Sequence, residues 1–163
     1  MKTLLLLRHG KSSWTDASLA DHDRPLKKRG RVAAKRMGRL IRELDLAPDH
    51  ILSSSAARAT ATAQLAATET KCNGEVEVVP VLYHADPSAF VAIVSRVPNQ
   101  FERVLVVGHN PGMEDWLDRL IGHVETFPTA ALAQIELPVD SWLDLSLNTR
   151  GTLKGLWRPK EIP

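Results

Sequence analysis

The chain of 163 residues is short of several residue types, and each shortage excludes something. Cysteine occurs once, as Cys72, so an intramolecular disulfide is impossible and no Cys-x-x-Cys or Cys/His spacing for zinc exists. A chain without that framework fits a reducing compartment, and a cytoplasmic location is expected. Cys72 itself lies in a Thr/Asn/Gly stretch and carries no assigned role. Long apolar runs are also missing. Leu4 to Leu7 follows Lys2 in the manner of a signal peptide, but it stops at Arg8, well short of the roughly 7–15 residues such a segment needs. Nothing later approaches the ~20 apolar residues of a membrane span. Charge of one sign is scarce too: 21 Lys and Arg stand against 19 Asp and Glu, a net charge of +2. That excess is too small to argue for a nucleic-acid partner. Aromatic residues make up 5% of the chain, with a single tyrosine, Tyr83.

What is present is an ordinary globular composition, 44% hydrophobic and 25% charged, at a length that suits one domain over residues 1–163. Strand and helix patterns alternate. Residues 2–7, 49–53, 75–81 and 103–107 read as strands. Residues 26–46, 56–70, 86–97 and 113–121 read as helices, the third opening with Asp86 as N-cap and Pro87 in its first turn. In 26–46, apolar residues such as Ala33, Met37, Leu40, Ile41 and Leu44 recur at spacings of three and four. The Lys and Arg between them read as a solvated face. The polar stretch 11–26 reads as a loop. The tail differs: 131–137, 142–147 and 152–157 read as strands joined by turns. The expectation is an α/β three-layer sandwich, with a mainly parallel sheet, helices on both faces and antiparallel C-terminal edge strands. Trp116, Trp142 and Trp157 are expected to pack in the core or at its edge.

Three strand ends carry unusual residues. The first runs into Arg8-His9-Gly10. The second ends in Ser53-Ser54-Ser55, with Arg58 opening the next helix. The fourth ends in Gly108-His109-Asn110. In a parallel sheet these ends share one edge, and ligands bind there. Arg offers a planar fork that matches phosphate oxygens. A neutral imidazole is a nucleophile. Gly10 would let backbone come close to a ligand. Singly, each residue reads as a strand-end or helix-surface group. Together, two Arg and two His suit a phosphoryl group.

These residues resemble the histidine phosphatase superfamily, which includes phosphoglycerate-mutase-like enzymes. The matching words are Leu-Arg-His-Gly at 7–10, Asp-Arg-Pro-Leu at 23–26 with Gly30, Ser-Ser-Ser-Ala-Ala-Arg-Ala at 53–59 with Thr62, Leu-Tyr at 82–83, and Val-Gly-His-Asn-Pro-Gly at 107–112. Their wording and the short chain look most like the small SixA-type phosphohistidine phosphatases. The resemblance implies that His9 becomes phosphorylated and that Arg8, Arg58 and His109 surround the phosphoryl group. It also implies substrate contacts from Ser12, Arg24 and Asn110, with no metal and no cofactor. His9 is expected to be kept neutral by the nearby guanidinium groups, and some protonation of His109 is expected to be useful.

The chain departs from many relatives in two ways. Only about twenty residues separate Tyr83 from Arg103, so a helical cap over the site is not expected. No acid stands at a motif position to protonate a leaving oxygen; His84, Asp86, Glu114 and Asp115 are candidates, each with a structural reading as loop residue or helix cap. An imidazole leaving group needs less help than an alkoxide. Both departures lean toward phosphohistidine in a protein as substrate. A phosphatase of a small phosphoester metabolite and a non-catalytic phosphate-binding module are the alternatives. Binding to nucleic acid or to a membrane is not expected.

Overall fold

A computed structural model describes residues 1–72 and 74–163. Six strands form one sheet: β1 (Lys2–Arg8), β2 (His50–Ser53), β3 (Val76–Val78), β4 (Arg103–Gly108), β5 (Leu132–Leu137) and β6 (Thr152–Trp157), in the order β3-β2-β4-β1-β5-β6. The four strands on the β3 side run parallel. β5 pairs antiparallel with β1, and β6 antiparallel with β5, which gives the expected antiparallel edge. Among the described residues four α-helices accompany the sheet: α1 (Lys28–Glu43), α2 (Ala57–Thr70), α3 (Pro87–Val94) and α4 (Gly112–Ile121). Among the described residues no helix is long and apolar enough to cross a membrane.

The alternation of side chains along a strand explains the layers. Leu4, Leu6, Val104 and Val106 face one side of the sheet, with Phe90 and Val94 of α3 and Met113, Trp116 and Leu117 of α4. Leu5, Leu7, Leu105 and Val107 face the other, with Met37 and Ile41 of α1 and Ala59, Ala63 and Ala66 of α2. β1 and β4 are apolar on both faces because both faces are covered. The Ala-rich face of α2 lets α1 come close: a Cβ on Gly38 would meet Ala66 Cα at 3.0 Å.

Three boundaries differ from the sequence reading. Residues 142–147 are not a strand. Trp142–Asp144 forms a 3-10 turn that buries the Trp142 ring completely, and its Nε1 donates to Phe101 O at 2.6 Å. An apolar alternation there serves a single anchor residue, not a pleat. The third strand is cut to three residues, and Pro80–His84 turns in a 3-10 helix that carries Tyr83 toward the sheet edge. The polar loop 11–26 holds a 3-10 turn at Asp21–Asp23 and a bridge between Ser12 and Leu26, so it is tied down at both ends.

Candidate active site

The parallel register places the three strand ends level: Arg8 lies beside Gly108, and Leu7 and Ser53 both flank Val107. One cleft of about 1300 Å³ opens there, and Arg8, His9, Arg58 and His109 all line it. The rings of His9 and His109 lie 5.0 Å apart, centre to centre.

His9 is 7% exposed, and its Nδ1 lies 2.7 Å from Gly10 O. A carbonyl oxygen can only accept, so Nδ1 carries the proton and Nε2 keeps its lone pair. The loop that makes this contact is held from outside: Gly10 N donates to Thr62 Oγ1 (3.0 Å), which donates in turn to Arg58 O (2.8 Å). Gly10 has a different use from the one its sequence suggests. A Cβ there would meet Gly30 O at 2.6 Å, and one on Gly30 would meet Lys11 O at 2.2 Å. The close approach is that of helix α1 to the loop, not of a ligand.

His109 Nε2 and Ser54 Oγ lie 2.7 Å apart, both groups buried. Burial holds both imidazoles well below their ordinary pKa: His9 at about 4, through desolvation first and then Arg58, Arg8 and Arg24, and His109 at about 3, through desolvation and then His9 and Arg58. His9 is neutral as expected, with burial the larger cause. His109 departs from expectation, since burial holds it neutral as well.

Arg8 donates from Nη1 to Phe127 O at 3.3 Å, while its Nε is buried with no partner among the described residues. Arg24 lies within the site, 6% exposed. It donates to Asp21 Oδ1 (2.9 Å), Ser12 Oγ (2.5 Å) and Ser13 O (3.2 Å), and stacks over Trp14. Ser12 is thus engaged by Arg24. Asn110 lines the cleft and donates from Nδ2 to Phe127 O (2.8 Å) and Glu114 (3.3 Å).

Asp21 is one of the residues that the sequence reading passed over. Its carboxylate accepts from Arg24, from Arg58 Nη2 (3.0 Å) and from the Tyr83 hydroxyl (2.5 Å), and its carbonyl accepts from Arg58 Nη1 (2.7 Å). The Tyr83 hydroxyl and the two guanidinium groups hold its pKa well below the usual carboxylate range. Asp21 is therefore an anion seated on the fork of Arg58.

The sequence profile of the histidine phosphatase superfamily (branch 1) matches residues 4–86. An uncharacterised chloroplastic protein of Arabidopsis thaliana is 31% identical over 152 residues, which cover 86% of this chain and 69% of that protein. Two solved structures share the fold across nearly the whole chain. One, assigned as the phosphohistidine phosphatase SixA of Agrobacterium tumefaciens, is 27% identical with a TM-score of 0.83, covering 97% of this chain and 98% of that one. The other, assigned as SixA of Nakamurella multipartitia, is 26% identical with a TM-score of 0.82, covering 97% and 96%. The chain belongs to the histidine phosphatase superfamily.

For a histidine phosphatase the treatment of the leaving group is the open chemical question, and the four candidate acids divide clearly. Asp86 caps α3 by accepting from Ala89 N at 2.9 Å. Glu114 accepts from Phe127 N (2.9 Å) and Asn110, and so holds the 127 loop against α4. Asp115 is exposed on α4 and does not line the cleft. Only His84 is exposed at the cleft, its ring 3.9 Å from that of Tyr83. Two residues escaped the sequence reading of the site. Asp21 sits three before Arg24, a spacing that forms an ion pair across one turn, and this signal was available. Ser54 was one of three serines, and only tertiary packing shows which of them meets His109.

Proposed function

We propose that this protein is a phosphatase that works through a phosphorylated His9 and removes the phosphoryl group from phosphohistidine in a protein. The observation that carries this reading is the state of His9. Its Nδ1 proton is committed to Gly10 O, its Nε2 lone pair is available, and burial keeps the ring neutral at pH 7.

In the first step Nε2 of His9 attacks phosphorus and the bond from phosphorus to the departing imidazole nitrogen breaks. Arg8, Arg58 and His109 receive the charge of the equatorial oxygens. The departing imidazole leaves neutral once its remote nitrogen has taken a proton from solvent. A dedicated acid is then unnecessary, in keeping with the engagements of Asp86 and Glu114 and with the position of Asp115 away from the cleft. In the second step water attacks the phosphorus carried on Nε2, the P–Nε2 bond breaks, both protons of the water leave with the product as dihydrogen phosphate, and His9 returns neutral with its Nε2 lone pair. Arg58 must exchange Asp21 for phosphate as substrate arrives. No metal ion enters this scheme, because the guanidinium groups supply the positive charge.

The test is phosphate release by EDTA-treated protein from a phosphohistidine-bearing protein and from a panel of small phosphoesters, with His9→Ala as control. Release from phosphohistidine with an acid-labile ³²P adduct on His9 is expected. Undiminished activity in His9→Ala would sink the covalent route, and a strong preference for a small ester would replace phosphohistidine as substrate.

A further inference from the structure

The cleft extends well beyond the reacting centre. Its far part runs along the start of α1 and is walled by Lys11, Lys27, Lys28, Arg29 and Lys160. These five cations come from three separate segments: the loop after β1, the entry into α1, and the 3-10 turn Pro159–Glu161. None of them is in an ion pair among the described residues, whereas Arg158 and Glu161, which also line this part, pair with each other at 3.4 Å. The cations repel one another enough that Arg29, Lys160 and Lys27 lower the pKa of Lys11. Sequence periodicity alone suggests a solvated basic face on α1. The fold instead brings that face together with Lys11 and Lys160 into a concave surface. Apolar surface lies among these cations: Val32, one turn beyond Lys28, is 60% exposed, and Ala33 also lines the cleft.

From this juxtaposition we propose that the groove along α1 is a docking surface for an acidic polypeptide segment next to the phosphorylated histidine of the substrate protein. The inference rests on the phosphohistidine reading, because a groove continuous with the reacting centre is filled by whatever carries the phosphoryl group. At about 1300 Å³ the whole cleft exceeds the ~300–1,000 Å³ that encloses a small ligand. Five unpaired cations over an exposed valine match a segment that carries Asp and Glu around an apolar side chain. Complementary charge speeds encounter and selects partners, and salt weakens it.

The test uses fluorescence anisotropy with three probes of equal length that carry no phosphate: a Glu/Asp-rich peptide with a central His, a Lys-rich counterpart, and a single-stranded oligonucleotide. The acidic peptide is expected to bind the wild-type protein, and its affinity to fall roughly tenfold or more between about 0.05 and 0.5 M NaCl. The double variant Lys28→Glu with Arg29→Glu is expected to lose about tenfold in affinity for that peptide. Its turnover of phosphoimidazole is expected to be unchanged, since neither residue touches the reacting atoms. Acidic residues in the first turn of a helix favour it, so the variant is also expected to unfold at the same temperature or higher. Equal binding of acidic and Lys-rich peptides would overturn the proposal, as would tighter binding of the oligonucleotide than of the acidic peptide. Failure of the phosphohistidine reading would show separately: wild-type protein would bind the acidic peptide yet release no phosphate from its phosphohistidine form.

Discussion

Asp21 sets the charge balance of the site. Two guanidinium groups that are almost wholly buried, Arg24 and Arg58, both turn to this one half-exposed carboxylate. Without it they would be held close together with only neutral acceptors. Asp21→Asn is therefore expected to lower stability by about 1–3 kcal/mol, the range for a charged hydrogen-bonded group that loses its partner. The same change removes the anion that competes with phosphate for the Arg58 fork. Affinity for inorganic phosphate is expected to rise, and saturating phosphate to recover part of the lost stability by mass action. Calorimetric titration with phosphate and thermal unfolding with and without it check both effects. Unchanged stability together with unchanged phosphate affinity would remove Asp21 from the site's electrostatics. The sequence reading located Arg24 and Arg58 but not their shared acid. Motif words name the groups that meet the ligand; the spacing of Asp21 and Arg24 hints at a local ion pair, but its reach to Arg58, 37 residues on, appears only once the loop has folded over the sheet edge.

Two elements position the two imidazoles of the site, and each offers a test. Helix α1 is pressed onto the loop after β1, where Gly10 and Gly30 leave no room for a side chain. Gly30→Ala would drive a methyl group into Lys11 O, a backbone atom that cannot swing away. A cost of about 3 kcal/mol is expected, at the upper end for overpacking, together with lower activity, because the displaced loop carries the Gly10 carbonyl that fixes the His9 proton. Chemical denaturation and turnover measure the two losses. The end of β2 does the same for His109 through Ser54. Ser54→Ala is expected to lower kcat by about tenfold with little change in KM, and to change the ¹⁵N shifts of His109, since the ring loses its one anchored nitrogen. Most of the frame that carries these elements was legible beforehand. Apolar runs bounded by turn residues marked β1 and β4, Asp86-Pro87 marked the start of α3, and the turn-rich tail gave the antiparallel edge. The stretch 142–147 was misread because apolar alternation cannot distinguish a pleat from a turn around one buried tryptophan. Convergence of His9, Arg8, Arg58 and His109 followed from topology alone, since parallel strands deliver their ends to one edge.

At the scale of the whole molecule, the two buried imidazoles couple folding to pH. In the unfolded chain each takes up a proton near pH 6.5. In the folded protein His9 waits until about 4 and His109 until about 3. Between roughly pH 6.5 and 4 the unfolded state thus holds more protons than the folded one, so stability rises with pH across that window and is lost as pH falls. The slope approaches about 1.4 kcal/mol per pH unit for each imidazole near the middle of the window. Asp21 acts in the same direction but lower: its folded pKa is depressed, so its contribution is complete above the unfolded value of 3.8 and fades only as pH falls below that. A urea-unfolding series from pH 7 down to 4.5 therefore isolates the histidines. The midpoint is expected to drop steadily over this range. In His9→Gln, which keeps a polar side chain at the loop but cannot titrate, the dependence is expected to fall to about half. Inorganic phosphate should flatten the wild-type curve, because an anion beside the rings favours their protonated forms and brings their folded pKa values back toward 6.5. A midpoint that stays level from pH 7 to 4.5 in the free protein would mean that the imidazoles are hydrated, and a hydrated His9 would lack the dry setting that keeps it neutral and nucleophilic.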